Sequence, residues 1–213
     1  MGNDVKVADH FFTIEERERI RAAVAATEGR TSGEIATMVV AASDSYREAE
    51  TLGAVLVSGL LAVIAAVLSH HVTIWSYVPM VALLFFPARL LFRHVPRLKL
   101  PLVGRRRLVE TVRERAVQAF YEQGLYRTRE ETGILIFISI LERKVWILGD
   151  RGINAQIPPG YWLGHAEKLA RGLRDGKACD ALCSVITSCA DDLARLFPRR
   201  ADDLNELGDE VRG

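Results

Sequence analysis

Two stretches of the chain lose their polar positions altogether. Leu52 to Leu68 runs 17 residues without a charge, and after Ser69-His70-His71 the run from Val72 to Ala88 repeats that length. Each reaches the roughly 17–25 residues needed to cross a hydrocarbon core. Helices buried in a soluble core seldom stay uncharged on every face for so long. A soluble core hairpin and a re-entrant hairpin are the other readings of these runs; the pattern predicts a transmembrane hairpin over 52–92, with helices at 52–69 and 72–92. Gly53, Ser58, Gly59, Ala62, Ala65 and Ala66 let the first helix approach the second closely. Pro79 and Pro87 are tolerable in a membrane span, and Trp75 and Tyr77 suit an interface.

Outside the hairpin the periodicity changes to that of an ordinary layered domain. Thr13-Ile14-Glu15-Glu16 has capping-box spacing and opens a helix carrying Ile20 and Val24 on one face, stopped at Gly29. Glu34 to Ala42 is small or apolar at nearly every position, as in an interior strand covered by helices. A helix is expected from about Arg105 to Gln123, with Leu108, Val112, Ala116, Ala119 and Phe120 as its apolar stripe. Gly133 to Ile140 reads as a second buried strand, and Lys144 to Leu148 returns beside it as a hairpin. Pro158-Pro159 opens a helix toward Leu173, and a last helix runs from Ala178 to Phe197, stopped by Pro198. The order predicts an α/β fold, a three-layer α/β/α sandwich with a small mixed sheet, interrupted by the two-helix hairpin. Its parts are 11–48, the hairpin 52–92, 105–207, and an acidic tail at 208–213.

Charge fixes orientation and excludes one class of partner. Lys and Arg total 28 against 27 Asp and Glu, so a whole-protein nucleic-acid binder is not expected. The connector between the runs has no Lys or Arg, whereas Arg89, Arg93, Arg97, Lys99, Arg105, Arg106 and Arg107 follow the second run. By the positive-inside rule that side is cytoplasmic, which places both termini there, in a bacterial inner membrane. The same cluster lies where it meets anionic lipid headgroups rather than nucleic acid. Met1 to Phe12 lacks a charged start followed by an apolar run, so no signal peptide is expected. Three cysteines, Cys179, Cys183 and Cys189, form neither a disulfide framework nor a paired zinc motif and read as core residues.

Several segments, in their order, resemble the TPM domain: Ser32-Gly33-Glu34-Ile35, Thr132 to Ser139, Gly149-Asp150-Arg151-Gly152-Ile153, Asp175-Gly176, Phe197-Pro198, and Asp202 to Leu207. That family groups a thylakoid lumen protein, a photosystem II repair factor and a receptor accessory protein. The resemblance covers about 11–207 apart from the hairpin and is to the bacterial branch in which a membrane hairpin interrupts the domain. It implies an α/β/α sandwich, a divalent-cation site among loop acids, and a disputed phosphatase activity in some members.

Candidate chemistry is sparse. Gly149-Asp150-Arg151-Gly152 follows a strand, where Asp150 is positioned to ligate Ca²⁺ or Mg²⁺ with Asp44, after the first strand, as an oxygen partner. The alternative is a turn whose carboxylate caps backbone amides. Arg127, Arg129 and Arg151 are candidates for gripping an anion, against the alternative of a solvated turn with local ion pairs. His70-His71 is an interfacial turn or an outer metal site, and no Ser, Cys or His arrangement forms a triad. Two functions remain. One is a membrane-tethered accessory or interaction module for other membrane proteins, without catalysis. The other is a metal-dependent phosphatase-like hydrolase using Asp44 and Asp150.

Overall fold

Local signals start the first helix as expected. In the computed structural model, which describes residues 11–69, 73–128 and 130–199, the Thr13 hydroxyl accepts from the Glu16 amide at 3.2 Å. The Glu16 carboxylate in turn accepts from the Thr13 amide at 2.8 Å. This capping box opens helix α1, Ile14–Glu28. Strand β1 is Glu34–Val40, β2 is Gly133–Ser139 and β3 is Lys144–Gly149. β1 runs parallel to β2 in the register Glu34↔Gly133, and β3 runs antiparallel to β2 with Ile134↔Gly149. The sheet order is therefore β1-β2-β3, small and mixed as the pattern predicts.

Every residue of β1 and β2 is buried, which requires cover on both faces. One face carries Ile35, Val39, Ile134, Ile136, Ile138 and Ile147, packed with Ile20 and Val24 of α1. The same cluster takes in Leu169 of α6, Tyr161–Arg174, and Leu182, Val185, Ile186, Cys189 and Leu193 of α7, Ala178–Leu196. The other face carries Ala36, Met38, Val40, Leu135 and Phe137 under α4, Arg105–Glu122, through Val112, Ala116, Ala119 and Phe120. Alternating side chains of single strands thus feed two cores, which makes the α/β/α sandwich. Each large side chain so buried contributes on the order of 1.5–3 kcal/mol of transfer free energy.

The chain divides into two compact units, 44–108 and the remainder. The smaller unit holds α2, Arg47–Leu68, and α3, Ile74–His94, both long and apolar enough to cross a membrane. The small residues of α2 do what the sequence suggests. Ala49, Gly53, Ala54, Ser58, Ala62 and Ala66 are its buried stripe, and Tyr77 of α3 reaches the Gly59 carbonyl at 3.5 Å. A side chain at Gly53 would strike the Phe92 ring, so glycine is required there by close approach. Leu60, Val67, Leu83 and Phe86 are exposed on the outside of the pair.

The helices begin and end within a few residues of expectation, except that α2 starts earlier, at Arg47. Three short elements carry no hydrophobic period and are additions: a 3₁₀ helix at Pro96–Leu102, another at Leu125–Arg127, and α5 at Arg151–Asn154.

Candidate functional site

Strand direction decides which loops meet. Because β3 is antiparallel to β2, the turn after β3 lies at the end of the sheet where β1 and β2 begin. The Asp150 amide donates to the Gly133 carbonyl at 2.8 Å, and the Gly152 amide donates to the Glu131 carbonyl at 3.1 Å. Glu131 itself is left-handed, with φ 55°. A side chain at Gly152 would collide with the Glu130 and Glu131 carbonyl oxygens, so this glycine is required by close backbone approach. Asn154 closes the turn, donating to the Gly149 carbonyl at 2.5 Å and accepting from the Trp162 indole at 2.9 Å.

The two oxygens of Asp150 differ in their surroundings. Its Oδ1 accepts from the Arg151 amide at 2.8 Å, as a capping carboxylate does. Its Oδ2 is buried with no hydrogen-bond partner among the described residues. A carboxylate oxygen out of water without a partner is costly, and a cation or a donor is what relieves it.

Asp44 is not brought to this turn. Ser43, the residue before it, stands at the opposite end of the sheet, where β1 and β2 finish, and the Ile140 amide there donates to the Val40 carbonyl at 3.0 Å. A seven-residue strand spans roughly 20 Å. Asp44 instead accepts from the Ser45 amide at 2.6 Å. Among the described residues no group of three His, Cys, Asp or Glu side chains is arranged to hold a metal ion.

The candidate anion-binding arginines are also placed. Arg151 is 3.7 Å from Glu131, both of them exposed, so its charge is partly answered within the turn. The Arg127 guanidinium lies 5.3 Å over the Tyr126 ring. Arg129 and His70-His71 fall outside the described residues, as does the acidic tail.

Two arrangements escaped the sequence. At the far sheet end Ser43 Oγ donates to Ser139 Oγ at 2.9 Å, and Ser139 Oγ donates to Glu142 Oε2 at 2.5 Å. Glu142 Oε1 accepts from the Ser43 amide at 3.0 Å, so the buried carboxylate ties the end of β1 to the β2–β3 turn. On α6 and α7, the Tyr161 hydroxyl donates to Asp192 at 2.7 Å, and the His165 ring lies 4.7 Å from Tyr161. The Tyr161 bond is the main cause holding the Asp192 carboxyl below its usual range. Burial pushes the Cys189 thiol up to about 12 and the Cys179 thiol up to about 11, as core cysteines require. All three cysteines are unpaired.

Residues 104–192, which include α4, β2, β3 and α6, match the sequence profile of the TPM domain. Over these residues the chain is similar to a TPM domain. Its fold is also similar to that of the BA42 protein from the psychrophilic bacterium Bizionia argentinensis, solved by NMR. The similarity has a TM-score of 0.58 at 19% identity and covers 95% of this chain and 94% of that one. No curated protein sequence matches the chain. The Asp150 turn lies within the matched residues, whereas α1, β1 and Asp44 precede them.

Proposed function

We propose that this chain is an integral protein of the bacterial cytoplasmic membrane, crossing twice with both termini inside. Its TPM domain works there as an accessory or interaction module for other membrane proteins. The carrying observation is the outer surface of the α2–α3 pair. Leu60, Leu68, Ile74, Trp75, Leu83 and Phe86 are each more than half exposed, which water would penalise and a bilayer rewards. The orientation rests on seven basic residues after the second apolar run, Arg89 to Arg107, and none in the connector. A reporter fused after Gly213 is expected to score as cytoplasmic; a periplasmic signal overturns the orientation. For the accessory role, the full chain extracted from membranes in detergent is expected to retain specific membrane-protein partners. Recovery of the chain alone, under mild extraction, counts against it.

A second reading rests on Asp150 Oδ2, buried without a partner among the described residues. Here the Asp150 turn takes Ca²⁺ or Mg²⁺, with water completing the shell. Bound there, such an ion would act as a Lewis acid toward a phosphoryl oxygen, the chemistry of a phosphatase-like hydrolase. Asp150 would be its carboxylate ligand, and Gly152 keeps the turn open enough for the Glu130 and Glu131 carbonyls to approach. Terbium luminescence with the full chain in detergent checks this. Saturable binding that competes with Ca²⁺ and disappears in Asp150→Asn supports the reading, and binding unchanged by that substitution removes it.

A further inference from the structure

The seven basic residues that follow the second apolar run are not equivalent once the fold is known. The Lys99 ammonium is buried, 6% exposed, and donates to Glu50 Oε2 at 2.9 Å and to the Ser45 carbonyl at 3.1 Å. Arg89 donates to the other oxygen of Glu50 at 3.3 Å, and Arg107 pairs with Glu48 at 2.5 Å. These three charges are spent inside the unit 44–108. Arg93, Arg97 and Arg105 are exposed and have no acidic partner among the described residues.

Their setting is informative. Arg93 lies in the last turn of α3, two residues after Leu91, which is still an exposed apolar side chain. The chain then enters the 3₁₀ helix Pro96–Leu102, where Lys99 is buried while Arg97 and Leu98 face out. Val95 and Leu98 remain 39% and 41% exposed. The connection leaving the span thus offers three unanswered guanidinium groups and two solvent-facing aliphatic side chains, with its remaining cation turned inward. Aliphatic residues between basic ones at the end of a span suit the boundary between acyl chains and headgroups.

Resting on the membrane reading, we infer that Arg93, Arg97 and Arg105 form a docking surface for anionic phospholipid headgroups, with Val95 and Leu98 seated at the acyl boundary. Arginine suits this because its planar fork binds phosphate oxygens bidentately. The inference assigns the lipid contact to three of the seven residues and removes from it Arg89, Lys99 and Arg107, which have acidic partners, and Arg106, which is engaged elsewhere.

The test reconstitutes the full chain in bilayers of phosphatidylcholine containing about one-fifth phosphatidylglycerol. Association of spin-labelled phosphatidylglycerol and phosphatidylcholine with the protein is then compared by electron paramagnetic resonance. Each arginine at the anionic surface is worth about fivefold at low salt, so the wild type should prefer phosphatidylglycerol severalfold or more, and less as salt rises. R93Q/R97Q/R105Q should lose that preference, and the charge-neutral control E48Q/R107Q should keep it. A wild type without preference, a triple variant that keeps it, or a control that loses it equally overturns the assignment. Failure of the wild type to float with phosphatidylcholine vesicles instead overturns the membrane reading beneath it.

Discussion

His165 shows what burial does to one side chain. Packing beside Tyr161 lowers its affinity for a proton below the usual imidazole range, chiefly through desolvation, with nearby Lys168 acting in the same direction. Asp192 opposes the shift without cancelling it. A histidine with a depressed folded pKa is neutral in the fold while the unfolded chain already takes a proton. Its contribution is therefore fully present above the unfolded value of about 6.5 and is lost as pH falls below it. The thermal midpoint is expected to drop between about pH 7 and pH 5, and His165→Gln should flatten that drop. A variant as pH-sensitive as the wild type over this range would assign the dependence to another group. Little of this pair was legible beforehand, because Tyr161 and His165 share a helix face with Asp192 only after α6 has packed on α7. Asp150 was legible, since Gly149 to Gly152 is a short-range turn signal whose residues need only their neighbours. Its supposed partner Asp44 was not. The β2–β3 hairpin can be read from adjacent segments, but the parallel alignment of β1 with β2 joins residues about a hundred positions apart, and that alignment sends Asp44 to the far end. The Ser43–Ser139–Glu142 contacts were hidden by the same separation.

At the scale of elements, hydrophobic period located nearly all helices and strands, and it failed where an element is held by charge. The 3₁₀ helix Pro96–Leu102 has two prolines and no apolar stripe, yet it is fixed because Lys99 reaches Glu50 at the first turn of α2. A buried pair of this kind costs desolvation on both sides, so its net contribution is small, whereas orphaning one member is expensive. Lys99→Met should cost about 3–5 kcal/mol by leaving Glu50 buried with only the more exposed Arg89. The double change E50Q/K99M should recover most of that loss. Unfolding of the detergent-solubilised chain by titration with a denaturing detergent measures both. Equal losses in the single and double variants would show that Lys99 acts through its packing and not through the ion pair.

The whole molecule poses the question of whether the hairpin is an insertion or a part of the core. Neither apolar cluster of the sandwich contains a residue from 44–108. Both are made by α1, the strands, and α4, α6 and α7, together with Phe12, Leu125 and Ile153. The sandwich therefore has its full apolar content without the hairpin, and the hairpin's only cost to it is loop closure, which grows slowly with length. Where the cut is made matters, however. Removing 50–94 takes away Glu50 and Phe92 but leaves Lys99 and Leu102, which would be stripped of the Glu50 carboxylate and of the packing around Gly53. That product is expected to expose an unpaired segment and to associate. Replacing 47–102 by a flexible linker of about ten residues removes Glu50, Arg89 and Lys99 together and keeps α4 from Arg105 onward. The result is expected to be soluble without detergent, monomeric by light scattering, and cooperative in thermal unfolding with the far-ultraviolet signal of a helix-rich sandwich. If it instead binds hydrophobic dyes and melts without a transition, the α2–α3 unit supplies packing that the two clusters do not account for, and the sandwich does not fold independently of its membrane hairpin.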